Sequence, residues 1–216
     1  VTNAAVLWDL DGTLVDSEEY HWHAWRETMA AEGVQITREQ FQASFGQRND
    51  AIIPQWLPAA APDRVERIGE AKEVRYRGLV RASGLAPLPG AAEWVKRLKQ
   101  DGWLQAVASS APRRNIEVVL DVIGLEGLFQ AVVSAEDVHR GKPDPEVFLT
   151  AASRLGVPPA RSIVVEDAAA GVEAARRAGM RSIGVKRVAL GSDLDTTSLA
   201  TLPPDAFERL LNPRGR

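Results

Sequence analysis

The chain has 216 residues, 45% of them hydrophobic, with 26 Lys and Arg against 29 Asp and Glu, a net charge of −3 and no cysteine. Such a chain buries a substantial core, one domain of ordinary size plus a smaller one. It lacks the basic face that would hold a nucleic-acid backbone, and offers neither a disulfide framework nor thiolate chemistry, which suits a reducing compartment. Its longest apolar runs fall far short of the ~20 residues a membrane span needs. The chain opens almost at once on a strand, so the expectation is a cytoplasmic monomer whose partner is a small molecule, with no nucleic acid and no membrane.

The apolar run Ala4 to Trp8 reads as a buried strand that stops at Asp9 and Asp11, with Gly12 turning the chain. Ligands bind at the carboxyl ends of strands in an open parallel sheet, so Asp9, Asp11 and Thr13 are expected to face a crevice. An ordinary Asp-Gly turn is the plainer alternative. An EF-hand loop fits poorly, because the sixth position counted from Asp9 is Leu14 rather than glycine.

From Ser17 the pattern turns helical: EEYHWHAWRETMAAEG carries acids in its first turn and Gly33 beyond its end. Trp22, Trp25 and Met29 recur at the spacing of one packed helix face. His21 and His23 stand two apart and share no face, which speaks against a zinc pair. Further helical pieces run from Thr37 to Ala43 and from Asp63 to Arg81, with no convincing strand between them. The helical insert ends near APLPG, Ala86 to Gly90, a natural hinge. The expected organisation is a main domain of residues 1–15 and 87–216, with residues 16–86 inserted.

From Gly90 onward helices and strands alternate at short intervals, the signature of a parallel sheet with crossover helices. Helix Ala91 to Gln100 leads to a strand ending at Ser109. Helix Pro112 to Ile123 leads to strand Ala131 to Ser134 and the loop GKPDP. Helix Pro145 to Leu155 leads to the strand SIVVED, and the segment Gly171 to Ala178 leads to Met180 to Val185. The tail from Val188 reads as edge structure with a short helix, Pro204 to Leu211.

Asp9, Ser109, Lys142, Glu166 and Asp167 thus all lie at or just past a strand's carboxyl end, where one crevice holds them. Carboxylates gathered there repel by about 4 kcal/mol per pair at 4 Å and an effective dielectric near 20. Lys142 supplies one positive charge, and an oxygen-rich acidic pocket suits a small hard cation, Mg²⁺ above all. A substrate phosphate fits the remaining space, held by Mg²⁺, Lys142 and Ser109 while a carboxylate attacks phosphorus. The plainer alternatives are that Glu166 and Asp167 cap the next helix and that Lys142 is an exposed loop lysine.

DLDGT at the first strand, Ser109 after the second, Lys142 in GKPDP and the pair Glu166-Asp167 stand in one order. They resemble the four sequence motifs of the haloacid dehalogenase superfamily over nearly the whole chain, with the insert directly after the first motif. The resemblance implies an α/β fold, a Rossmann-like parallel sheet core with an inserted helical cap. It also implies that Asp9 is the nucleophile that becomes an aspartyl-phosphate and that Asp11 is the general acid and then the base. By the same likeness Thr13 supports the loop, Ser109 and Lys142 hold the phosphate, and Asp9, the Asp11 carbonyl and Asp167 ligate Mg²⁺, with Glu166 as a metal-water or neighbouring contact.

Within the family, an acid at Asp11 suits an alcohol leaving group rather than halide. Lys72, the lone lysine of the insert, has no neighbours that signal a Schiff base. EYHWHAW, Glu19 to Trp25, resembles the matching stretch of β-phosphoglucomutases, which implies that His21 assists the acid and base step and that the substrate is a sugar phosphate. Those enzymes carry a Ser-Lys pair for the distal phosphate in the turn that here reads SSAPRRN, with Ala111 and Pro112. A second phosphate would therefore fall to Arg48, Arg113 or Arg114, with Ser110 beside them. Hydrolysis needs less, so phosphatase is ranked above phosphomutase. A phospho-receiver and a sugar-phosphate binding module are the non-enzymatic alternatives.

Overall fold

The computed structural model describes residues 4–44 and 46–212; residues 1–3, Phe45 of the FGQRND stretch and residues 213–216 of the tail lie outside the described residues. Six parallel strands form one sheet: β1 (Ala5–Trp8), β2 (Leu104–Ala108), β3 (Ala131–Val133), β4 (Ser162–Glu166), β5 (Arg181–Val185) and β6 (Leu194–Thr196), ordered β3-β2-β1-β4-β5-β6. The described residues also form α1 (Glu18–Ala31), α2 (Arg38–Ser44), α3 (Asn49–Trp56), α4 (Pro62–Ser83), α5 (Ala91–Gln100), α6 (Arg113–Val122), α7 (Glu146–Leu155), α8 (Ala169–Arg177) and α9 (Ala206–Leu211).

β1 is central because it is apolar on both faces. Val6 and Trp8 enter one apolar layer and Ala5 and Leu7 the other, and all four are fully buried. A strand covered on both sides needs such a continuous run rather than alternation. The first layer packs under α5, α6 and α9, the second under α7 and α8. Trp8 Nε1 donates to Gln105 Oε1 at 2.9 Å, and Gln105 Nε2 donates to the Val95 carbonyl at 2.9 Å. That pairing satisfies the buried Trp8 indole and Gln105 amide and pins α5 onto β2.

α1 to α4 fall between β1 and α5 and have an apolar cluster of their own, with Trp25, Met29, Phe41, Ile53 and Ile68 in it and Trp22 packed alongside. Ala24, Tyr76 and Val80 instead join the layer on the main sheet, so α1 and α4 contact both cores. α3 was not expected. Its Pro54 marks a break in sequence, but burial of Ile52 and Ile53 outweighs the lost hydrogen bond.

The tail adds more than its short helix. β6 pairs with β5 at the sheet edge, and Trp94 Nε1 donates to the Leu199 carbonyl at 2.9 Å. Gly90 has φ 87°, and a Cβ there would overlap the backbone of Ala200, so the hinge glycine is required by both its own turn and the docked tail.

Candidate active site

The chain steps outward from β1 through β2 to β3 and then returns to β4 on the other side of β1. At such a reversal the following loops diverge and leave a crevice at the strands' carboxyl ends. Asp9 ends β1, Glu166 and Asp167 end β4, and Asp9 N–H donates to the Val165 carbonyl at 3.0 Å. Ligand oxygens of Asp9, Glu166 and Asp167 lie within 4.8 Å of one another. They open onto a cavity of about 1320 Å³ walled on its far side by the helical insert.

Lys142 is the bridge among these acids. Its Nζ donates to Asp9 Oδ1 at 2.6 Å and to Glu166 Oε1 at 2.5 Å. Burial opposes a charged ammonium there, yet Asp9 and Glu166 outweigh it and push Lys142 above the ordinary lysine range. One ammonium does not balance three carboxylates. Burial, reinforced by Glu166 and Asp167 against the pull of Lys142, holds the Asp9 carboxyl well above its usual range. Burial and Glu166 push Asp167 up to about 6, with Lys186 at 3.8 Å offsetting part of this. An all-oxygen donor set short of positive charge fits a hard divalent cation.

Two glycines make this crowding sterically feasible. A Cβ on Gly12 would overlap the Asp167 carboxylate, and one on Gly171 would overlap that of Glu166. Glu166 Oε2 also accepts from Ala168 N–H at 2.8 Å, so its second oxygen does contribute to the turn into α8, as the capping alternative supposed.

Asp11 faces elsewhere. Its Oδ1 accepts from the Ser17 hydroxyl at 2.5 Å and lies 3.5 Å from His21 Nε2. Its side chain is outside the three-carboxylate group. Burial alone would raise its carboxyl, but the His21 hydrogen bond and charge, with Ser17, leave it lowered. His21 stacks on Tyr76 at 4.0 Å between ring centroids. Burial and the Lys72 charge lower its pKa, with Asp11 opposing. Lys72 Nζ lies 2.9 Å from His21 Nδ1 and donates to Glu73 Oε1 at 2.9 Å. An ammonium only donates, so Nδ1 must be the acceptor and the ring proton of the neutral imidazole sits on Nε2, toward Asp11.

Ser109 ends β2; it is buried in the cavity wall, and its Oγ accepts from Ala111 N–H at 3.1 Å. Ser110 lines the same cavity. Thr13 is buried in the turn after β1, its Oγ1 without a hydrogen-bond partner among the described residues. Arg48 lines the cavity from the insert, its Nη1 donating to the Ala135 carbonyl at 3.0 Å and its Nε 3.5 Å from Asp50. Arg113 is not brought in: its Nη2 donates to Asp137 Oδ2 at 2.7 Å and to the Val132 carbonyl, away from the cavity. Glu73 enters the site without having been singled out in sequence, and Lys72, weighed there only as a Schiff-base lysine and set aside, enters it as the partner of His21 and Glu73. The available signal was a Lys-Glu pair one turn before Tyr76 and Arg77, which an isolated helix would present to solvent.

The sheet, its acidic crevice and the insert after the first strand define an enzyme of Rossmann-like α/β build. The chain belongs to the haloacid dehalogenase-like hydrolases, whose family profile matches residues 6–185. It is similar to hexitol phosphatase B of Escherichia coli (strain K12), 36% identical over 190 residues that cover 84% of this chain and 82% of that protein. β-Phosphoglucomutase of Bacillus subtilis (strain 168) is 32% identical over 199 residues, covering 88% and 87%. Among solved structures, a β-phosphoglucomutase from Clostridium difficile superposes with a TM-score of 0.88 at 26% identity, covering 97% of each chain.

Proposed function

We propose that the protein is a Mg²⁺-dependent phosphatase that hydrolyses a small phosphorylated metabolite, a sugar phosphate, through an aspartyl-phosphate, and that it works as a cytoplasmic monomer. In this reading residues 16–86 are a cap over a core of residues 1–15 and 87–216. An Asp9 oxygen bonds to phosphorus as the ester P–O bond breaks. The electron pair leaves with the substrate oxygen, which takes a proton that Asp11 carries into the step, against the lowering that His21 and Ser17 impose on its carboxyl. Water then attacks phosphorus, returns its proton to Asp11, and the bond to Asp9 breaks to release phosphate.

Ser109, Ser110 and Lys142 hold the phosphoryl oxygens, Thr13 supports the loop, and His21 orients Asp11. Asp9, Asp167 and the Asp11 carbonyl would hold Mg²⁺, with Glu166 beside it. When bound, the cation supplies neutralisation of charge on the phosphoryl group.

The observation that carries this reading is the division between two aspartates two residues apart. Asp9 sits in the carboxylate cluster against Lys142, whereas Asp11 is turned to His21 and Ser17. That division supports reading one as the attacking group and the other as the proton exchanger. The likeness to hexitol phosphatase B supports a phosphorylated polyol or sugar as substrate.

A phosphomutase is the second reading, favoured by Arg48 on the cavity wall. It ranks lower because a mutase parks a second phosphate while Arg113 is committed to Asp137, and Ala111 and Pro112 offer no cation. Release of phosphate from p-nitrophenyl phosphate that depends on Mg²⁺ is the expected result; folded protein with no release above background ends the catalytic reading. Feeding β-glucose 1-phosphate with a trace of the bisphosphate separates the two reactions: free phosphate supports hydrolysis, glucose 6-phosphate the mutase.

A further inference from the structure

A second charged cluster lies outside the reacting groups, on the seam where α4 of the insert meets α6 of the main domain. Glu73 and Arg77 stand one turn apart on α4, and both are buried. Between them, from α6, reaches Asn115, 1% exposed. Its Nδ2 donates to Glu73 Oε2 at 2.5 Å, and its Oδ1 accepts from Arg77 Nη1 at 3.0 Å. The amide orientation is the one that satisfies both neighbours. Further partners extend the cluster: Glu73 Oε1 accepts from Asn49 at 2.7 Å and from Lys72 at 2.9 Å, and Arg77 Nη2 donates to Glu70 at 3.0 Å.

These contacts continue into the site. Lys72, paired with Glu73, donates to His21, and His21 Nε2 faces Asp11. The path leaves the main domain at Asn115, crosses α4 and α1, and re-enters it at Asp11. It closes only while α4 is seated on α6. Apolar side chains of similar volume would hold such a seam at least as well as buried charges. A polar seam is instead one that water can satisfy when it separates.

We propose that Asn115 is a positioning residue: by gripping Glu73 and Arg77 it seats the insert and so holds Lys72 and His21 against Asp11. The proposal rests on the phosphatase reading. Asp11 then delivers its proton to the leaving oxygen, as the P–O electron pair departs, only in the seated arrangement. Asn115 does not line the cavity and touches no reacting atom.

The test compares kcat/KM for p-nitrophenyl phosphate, whose leaving group departs without a proton, and for phenyl phosphate, which is nearly the same size but needs one. Asn115→Asp keeps the volume and sets a carboxylate against Glu73. Its loss on phenyl phosphate should exceed its loss on p-nitrophenyl phosphate at least tenfold. The double variant Asn115→Asp, Glu73→Gln exchanges donor and acceptor across the pair and should restore the wild-type ratio. If melting shows the single variant unfolded, Glu73→Gln alone is measured and should shift the ratio in the same direction. Equal losses on the two esters, in folded variants of an active wild type, would sink the clasp and leave the phosphatase reading standing. A folded wild type inert toward both esters would sink that reading and the clasp with it.

Discussion

The carboxylate of Glu166 rests against the bare Cα of Gly171, so close that a Cβ on residue 171 would overlap it. Glu166 is tied to Lys142 and to the turn into α8, and it is not a side chain with room to retreat. Gly171→Ala, which would be mildly favourable in an open helix, should here cost about 1–3 kcal/mol through overpacking. It should also move Glu166 off Lys142. Thermal melting and phosphatase assay should therefore fall together; an unchanged Tm would mean that α8 yields where the geometry says it does not.

Asp9→Asn should leave the fold intact. The amide oxygen still accepts from Lys142, and one of the three crowded charges is removed, so the metal-free Tm should hold or rise. Turnover should drop on the order of 10⁴-fold or more, the scale seen when a nucleophile is deleted. Retention of a tenth of the activity would move the phosphoryl acceptor to another residue.

Lys142→Met should behave in the opposite way. It strands Asp9 and Glu166 with no cation between them. Breaking a buried pair from one side costs about 3–5 kcal/mol, a fall in Tm of roughly 10 °C for a chain of this size. Added Mg²⁺ should recover part of that loss, which differential scanning calorimetry with and without EDTA would detect.

Asp167 predicts a pH dependence for the metal-free protein. Its carboxyl is pushed up to about 6 in the fold, from an ordinary value of 3.8. Between those pH values the folded state holds a proton that the unfolded chain has lost. Stability should therefore fall as pH rises across this window, by on the order of 3 kcal/mol from this group. Asp167→Asn should flatten the slope, and saturating Mg²⁺ should do likewise because it binds the ionised form. Melting curves of both metal-free proteins from pH 3.5 to 7 provide the check, and an Asp167→Asn variant with the same slope as the wild type would contradict it.

The sheet and its acidic crevice were legible because they rest on local signals: apolar runs ending in Asp, Glu or Ser, glycine just past helix ends, and helix periods between. What escaped depends on neighbours. β6 has no apolar alternation; it is held by backbone pairing and by side chains such as Ser192, whose Oγ accepts from Gly184 N–H at 2.9 Å. α3 hid behind Pro54. Lys72 sits in a helix dense with charge, where solvent exposure is the reasonable expectation, yet it is buried with its Nζ over the faces of Trp25 of α1 at 5.2 Å and Tyr76 at 5.4 Å. Arg113 was grouped with the site by its place in the turn, but Asp137, in the turn just after β3, captures its guanidinium. Charge partners that are remote in sequence decide such cases.

β1 pairs with β4 residue for residue, Ala5 with Ser162 through Trp8 with Val165. A ribosome building this chain from its amino end delivers Asp9 long before the strand that flanks it or the lysine that neutralises it. Until then the most apolar segment has one open edge and an uncompensated acid at its tip. Such distant pairing slows folding, so a half-made chain exposes an open strand edge and lacks Lys142, Glu166 and Asp167 until late in synthesis.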